Sequence, residues 1–251
     1  MRFFLNLSFD GGPFSGWQRQ KNAPSVQEAL ERALSIVLGE DIEVTGAGRT
    51  DAGVNAAGYK AHFDAPPQKV LEKPERNLHK INAILPREIT VHSFLKVPAG
   101  AHARFDASSR TYKYFIHTVK DPFAHHSWYY TLPTDADVMN RAAALLCGTR
   151  DFSSFEKKGS DNRTSICTVK EARWESLPGG RLIFTVTADR FLRNMVRAMV
   201  GTLLEVGRGR IGADSIPDLL EAADRGRAGQ SVPGEALFLT NVEYPFELIE
   251  I

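Results

Sequence analysis

The sequence predicts an α+β fold built on a largely antiparallel sheet. Three observations carry that expectation. Runs of period-two alternation are interleaved with runs of helical spacing along the whole chain. Two strand-like runs, residues 164–175 and 182–188, are joined through Pro178-Gly179-Gly180, which is a hairpin signature. No Pro/Ser-rich linker or low-complexity tract interrupts the 251 residues, so they form one large domain or two closely packed halves.

Taken in order, Phe3, Leu5, Leu7 and Phe9 alternate with outward positions and predict a first strand that ends at Asp10-Gly11-Gly12-Pro13. Ser25-Val26-Gln27-Glu28 reads as a capping box, and Leu30, Ala33, Leu34 and Val37 continue it at helical spacing as far as Gly39. Residues 42–45 predict a short strand feeding a glycine-flanked loop at 46–53. A strand is expected near 59–63, a helix over 72–85 stopped by Pro86, and a strand over 89–97. In the second half, residues 110–119 are rich in aromatic and β-branched side chains and predict another strand. Helices are expected over 137–146, 194–206 and 215–223, and residues 237–242 form a last strand. The similar alternation of the two halves divides the chain into lobes 1–105 and 106–251.

Composition excludes several function classes. Hydrophobic residues make up 43% and charged residues 24%, the balance of a soluble protein that buries its own core without staples. Cys147 and Cys167 form neither a C-x-x-C pair nor part of a His cluster, so they read as buried thiols and not as a disulfide or zinc site. No run approaches the length of a membrane span, and residues 1–6 lack a signal-peptide layout, so a cytoplasmic chain is expected. The net charge of +1 is unevenly spread: residues 211–251 carry −6, which leaves +7 for residues 1–210. Residues 190–210 alone hold five arginines against Glu205. Such a surface permits contact with phosphate without establishing it.

The stretch most informative about chemistry is Gly46-Ala47-Gly48-Arg49-Thr50-Asp51-Ala52-Gly53. It sets one carboxylate beside one guanidinium on a glycine-rich backbone that a ligand can approach closely. Taken alone it is also compatible with a structural Arg–Asp turn. It lacks the Lys and Ser/Thr that a phosphate-binding loop carries after its glycines, and the third glycine of a dinucleotide fingerprint. A metal site would need more ligands nearby than His62 and Asp64.

Gly48-Arg49-Thr50-Asp51-Ala52-Gly53-Val54 resembles the catalytic-aspartate loop of the tRNA pseudouridine synthase A family. The likeness extends to Phe9-Asp10-Gly11, Phe14-Ser15-Gly16-Trp17-Gln18-Arg19-Gln20 and Ser25-Val26-Gln27-Glu28. It continues through Ala103-Arg104-Phe105-Asp106-Ala107 with Arg110-Thr111-Tyr112-Lys113-Tyr114, and through Gly148 with Asp151-Phe152-Ser153-Ser154-Phe155. Phe191-Leu192-Arg193-Asn194-Met195-Val196-Arg197 with Gly201, then Pro233 and Leu237-Phe238-Leu239, complete it. The blocks stand in the family's order and cover almost the whole chain.

The resemblance implies a pseudouridine synthase-like fold, two similar α/β lobes with largely antiparallel sheets joined across a central basic cleft. It implies isomerisation of uridine in tRNA without cofactor or metal. An aspartate attacks either the sugar C1′ or the pyrimidine C6, the freed base turns, and C5 rejoins the sugar. Asp51 is then the nucleophile, and it is the one side chain of its loop suited to that role. Tyr112 matches the tyrosine that stacks on the target base; periodicity alone would suit Tyr114 equally, because both share one strand face. Arg197 matches the late-helix arginine that keeps the nucleophile ionised, and its apolar neighbours would make an unpaired guanidinium costly there. Arg49 is placed to hold the phosphate of the flipped nucleotide or to fill the space that its base vacates. Arg19, Arg104, Arg110, Lys113 and Arg193, with Arg208 and Arg210, are further candidates for the RNA backbone. The resemblance also implies a homodimer acting at uridines 38, 39 and 40 of the anticodon stem-loop.

Some positions depart from the family's usual pattern. Asn55 stands where histidine is usual, Tyr59-Lys60 replace a Gln and an apolar residue, and Gly234 and Ala236 flank Glu235 where Ala and Gly are more usual. These bear on loop support and RNA contact and leave Asp51, Tyr112 and Arg197 untouched. The rival readings are a non-catalytic RNA-binding protein, a synthase with another target, and a nucleotide-binding metabolic enzyme. The last lacks the phosphate and metal partners it would need.

Overall fold

The computed structural model describes residues 1–159 and 163–251, and the chain divides into two compact units. The first comprises Met1–Ser108 with Leu239–Ile251, the second Ser109–Phe238. The sequence placed residues 239–251 in the second lobe; the structure places them in the first unit. The reason is packing. Tyr244, Phe246 and Leu248 lie against Phe4, Leu95, Ala101 and Ala103, and the Tyr244 hydroxyl donates to the Ala103 carbonyl at 2.7 Å.

In the first unit the elements run β1 (Arg2–Phe9), α1 (Val26–Leu38), β2 (Thr45–Gly46), β3 (Asn55–Asp64), α2 (Pro67–Leu71), α3 (Pro74–Ile84) and β4 (Ile89–Lys96). β1 pairs antiparallel with β3 and with β4. α3 packs on β4, and α1 packs on α3. One face of β1 buries Phe3, Leu5, Leu7 and Phe9, as the alternation predicts. Its other face is also covered: Phe4, an outward position by alternation, is fully buried beneath residues 244–248.

α1 starts as its sequence requires, with Ser25 Oγ accepting from the Glu28 N–H at 3.3 Å, and its C-cap is Gly39. Two expectations differ. Of residues 42–45 only Thr45 is paired. The Ile42 N–H donates to Ser35 Oγ at 3.0 Å and the Val44 N–H to the Glu31 carboxylate at 3.1 Å, so side chains of α1 satisfy backbone that a ladder would otherwise take. The helix expected over 72–85 is preceded by α2 and begins only at Pro74. Lys73 leaves helical geometry (φ −145°, ψ 60°), and proline, lacking an N–H, restarts a helix at its first turn.

The second unit contains β5 (Ser109–His117), β6 (Trp128–Tyr129), α4 (Ala136–Ala144), β7 (Gly148–Asp151), β8 (Ile166–Leu177), β9 (Arg181–Ala188), α5 (Met195–Gly207) and α6 (Ile216–Glu221). Its antiparallel order is β5-β9-β8-β7, and β8 and β9 form the expected hairpin. β6 adds a short parallel pairing to β5 that the sequence did not announce. α4 packs on β8 and α5, and almost every residue of α5 is buried. β10 (Leu237–Glu243) carries the chain back into the first unit, where β11 (Ile249–Glu250) pairs with β4. Both cysteines are free thiols; Cys147 is half-buried, and burial pushes the Cys167 thiol up to about 12. Among the described residues no helix is long and apolar enough to cross a membrane.

Candidate active site

Asp51 is half-buried on the turn between β2 and β3. The N-terminal segment holds that turn from one side. The Trp17 N–H donates to the Thr50 carbonyl at 3.4 Å, and the Gly11 N–H donates to Asn55 Oδ1 at 2.8 Å. The Val54 N–H closes the turn on the Asp51 carbonyl at 3.2 Å. Gly16 has a φ of +95°, and a Cβ there would stand 2.3 Å from the Thr50 carbonyl oxygen. Only glycine lets the segment close on the loop.

Support also comes from β3. The Tyr59 hydroxyl donates to the Gly48 carbonyl and accepts from the Gly48 N–H at 3.4 Å. Trp17 stacks on the Tyr59 ring with centroids 4.2 Å apart. The nucleophile candidate therefore sits on a backbone fixed by main-chain and aromatic contacts. Arg49 is exposed, two residues before Asp51. Thr50 is buried, and among the described residues its hydroxyl has no hydrogen-bond partner, a cost of about 1–3 kcal/mol.

Three departures from the family pattern thus have local roles. Asn55 accepts from Gly11, Tyr59 pins Gly48, and Lys60 Nζ donates to Asn6 Oδ1 at 2.8 Å. Sequence reasoning tied Asn55 and Tyr59 to loop support without naming their contacts, and it missed Trp17. No spacing signals them, because residues 11, 17, 48 and 59 meet only in the folded chain.

In the second unit, Arg110, Tyr112 and Tyr114 share one face of β5, and Lys113 projects from the other. Tyr112 is half-buried and meets Phe191 edge-on, with centroids 5.1 Å apart and planes at 86°. Arg110 donates to the Asp189 carbonyl at 2.7 Å. Tyr114 is fully buried, with no hydrogen-bond partner for its hydroxyl among the described residues; burial, with Glu235 adding and Arg197 opposing, pushes its phenol above the ordinary value. Exposure separates the two tyrosines that periodicity left equivalent: Tyr112 keeps access to solvent and Tyr114 has none.

Arg197 lies in the first turn of α5, half-buried. Its Nε donates to the Val232 carbonyl at 2.7 Å, and the Val232 N–H donates back to the Arg197 carbonyl at 3.3 Å. Sequence reasoning did not identify Phe191 as the neighbour of Tyr112, nor Val232 as the acceptor for Arg197. Arg193 is exposed just before the helix, and its carbonyl accepts from the Lys157 N–H at 3.0 Å.

Asp51, Arg49, Arg19 and Arg104 belong to the first unit; Tyr112, Arg197, Arg110, Lys113 and Arg193 belong to the second. Arg19 follows the segment that holds the Asp51 turn, and its exposed guanidinium pairs with the mostly buried Glu31 at 3.4 Å. The exposed Arg104 guanidinium stands 5.7 Å from the centre of the exposed Phe105 ring.

Comparison with known proteins supplies what geometry alone does not. The family model for tRNA pseudouridine synthase matches residues 142–245. The tRNA pseudouridine synthase A of Bacteroides fragilis is 48% identical over 99% of this chain and 98% of its own. That of Parabacteroides distasonis is 48% identical over 100% of this chain and 98% of its own. The Bacillus subtilis protein of the same name is 39% identical over 97% of this chain and 99% of its own. Each of these matches covers nearly the whole of both chains. The chain belongs to the tRNA pseudouridine synthase A family, a family of isomerases.

Proposed function

We propose that this protein converts uridine to pseudouridine at positions 38, 39 and 40 of the tRNA anticodon stem-loop, as a cytoplasmic homodimer and without metal or cofactor. The observation that carries the reading is 48% identity over nearly the whole chain with a protein named tRNA pseudouridine synthase A. It is supported by a half-buried carboxylate on a turn braced from two sides.

In this reading the Asp51 carboxylate attacks C1′ or C6 of the target uridine, and the N1–C1′ bond breaks. The base turns, a C5–C1′ bond forms, and the carboxylate leaves. The proton on C5 is lost and N1 gains one, so the product is an isomer and nothing is consumed. Tyr112 offers its ring to the base, a contact of about 1–3 kcal/mol in single-stranded recognition; its half-exposed position, edge-on to Phe191, suits that role. Arg197 is the guanidinium that keeps the nucleophile ionised, with Nε fixed by the Val232 carbonyl. Arg49 accompanies the flipped nucleotide, and Arg19, Arg104, Arg110, Lys113 and Arg193 contact phosphates. Action at three neighbouring positions implies recognition through RNA shape and backbone more than base edges.

The test is to incubate the purified protein with an unmodified tRNA carrying uridine at 38, 39 and 40, and to map pseudouridine by carbodiimide labelling and primer extension. Stops specific to those positions are expected. Stops only elsewhere would overturn the assignment of target, and none in any tRNA would overturn the activity.

A further inference from the structure

The second unit contains a cavity of about 720 Å³ beside the C-terminal half of α5. That volume lies within the range of sites that hold small ligands, roughly 300–1,000 Å³. Its lining includes Trp128 and Tyr130 from the β6 segment, Glu205 and Arg208 from the end of α5, and Arg210 and Arg227 from the loops beyond. None of these residues takes part in the reaction proposed above.

The cavity wall is built into the fold. Residues 228–231 lie directly on α5, and a Cβ at Gly201 would stand 1.8 Å from the Gln230 carbonyl oxygen. The Gly229 N–H donates to Thr202 Oγ1 at 2.8 Å. Arg225 ties the same segment together, donating to the Gly229 carbonyl at 3.0 Å and to Ser231 Oγ at 2.9 Å. A hollow with such a wall is preformed, so a ligand entering it bears little ordering cost.

Its chemistry is cationic and aromatic. Three guanidiniums face one carboxylate, Glu205, which holds Arg208 at 2.7 Å and Arg210 at 3.3 Å. Arg208 is mostly buried, whereas Arg210 and Arg227 are exposed. Glu205 thus orients two arginines and leaves an excess of positive charge, the arrangement that favours phosphate oxygens. Trp128 is half-buried with its centroid 4.8 Å from that of Tyr130, so it presents an aromatic surface beside the arginines. A free phosphate would need neither the ring nor the volume, and a regular duplex backbone would not enter a hollow.

We infer that this cavity is a second RNA subsite, which takes one unstacked nucleotide of the tRNA substrate, its base against Trp128 and its phosphate between Arg210 and Arg227. The inference rests on the reading of the chain as a tRNA enzyme. It adds a contact at a nucleotide that is not isomerised, and so contributes to substrate affinity and not to the chemical step.

The test uses the full-length protein and full-length tRNA. The Arg210→Ala/Arg227→Ala double variant removes two exposed guanidiniums and the Arg210–Glu205 pair, leaves the mostly buried Arg208–Glu205 pair in place, and is expected to fold. It should raise KM several-fold, leave kcat within about two-fold, and make the salt dependence of tRNA binding shallower by roughly 0.7 in log–log slope, the value for one single-stranded phosphate. Uridine 5′-monophosphate should quench tryptophan emission in the wild type and not in Trp128→Phe, while inorganic phosphate quenches neither. An unchanged KM and salt slope would overturn the subsite even where wild-type turnover is normal. Quenching by the mononucleotide combined with unchanged tRNA affinity would assign the cavity to a free nucleotide and overturn the tRNA occupant. Because tRNA binding is measured without turnover, absence of pseudouridine in the wild type would count against the enzymatic reading and leave this test intact.

Discussion

His62 lies on β3, the strand whose Tyr59 pins the Asp51 turn, and its ring is stacked on Phe4. Its Nδ1 accepts from the Ala103 N–H at 3.0 Å, which requires that nitrogen to be unprotonated. Burial first, then the charges of Arg2 and His102, bring its pKa down to about 4, with Asp64 and Asp106 opposing. In the unfolded chain the value is about 6.5. Between those limits the unfolded chain binds a proton that the folded chain refuses. The stability this group supplies is therefore complete above about pH 6.5, and it is lost as the pH falls towards 4. Its size is at most about 3 kcal/mol. His62→Asn, which keeps an acceptor near the Nδ1 position, should lose less stability than wild type between pH 7.5 and pH 4.5 in urea unfolding. Equal losses would assign the pH dependence to other groups. At this scale sequence legibility was uneven. Asp51 is marked by its loop, but Tyr112 was chosen over Tyr114 by resemblance alone, because strand periodicity is blind to which of two same-face side chains has a lid. His62 was weighed only as a sparse metal ligand; its acceptor role depends on a backbone N–H from residue 103, which no local pattern announces.

The elements that position Asp51 are a strand, a turn and a segment without regular structure, and the last of these sets the geometry. Residues 11–17 contact the loop through Gly11, Gly16 and Trp17. Gly16→Ala would need a positive φ and a carbonyl oxygen 2.3 Å from the new methyl group, so the segment must shift. The expected result is a loss of about 2–3 kcal/mol in stability, and a fall in kcat on the order of 10²-fold for a displacement near 1 Å at Asp51. Both are measurable on one preparation by chemical denaturation and by initial rates. Normal kcat with reduced stability would show that the Asp51 turn does not depend on this contact. Elements with strong local signals were readable: the Ser25 cap of α1, the β8–β9 hairpin, and the apolar run of α5. Those set by tertiary partners were not. Ile42 and Val44 satisfy their backbone N–H groups on the side chains of α1, Pro74 restarts a helix that spacing alone ran through, and the two-residue β6 is defined by its neighbour.

For the molecule as a whole, the charge division read from the sequence changes once the units are known. The second unit holds 18 Lys and Arg against 15 Asp and Glu, and the first holds 13 against 15. Excess positive charge therefore resides with the unit that carries Tyr112, Arg197 and the arginine-lined cavity. The acids at residues 243, 247 and 250 join the first unit because that segment packs on Phe4. A lobe boundary drawn from alternation could not anticipate this return of the chain, since a strand pattern does not name its partner. Fold class, family and the loop that bears Asp51 were legible because each is carried by short contiguous blocks. The supports of that loop, and the cavity beside α5, were not, because each is assembled from segments distant in sequence. The central claim is that this chain isomerises uridine in tRNA through Asp51. It is tested most directly by release of tritium from tRNA labelled at uridine C5, with wild type and Asp51→Ala compared at equal tRNA occupancy and without added metal or cofactor. The account predicts release by the wild type and none by the variant, with tRNA affinity largely preserved. Substantial release by Asp51→Ala would contradict it.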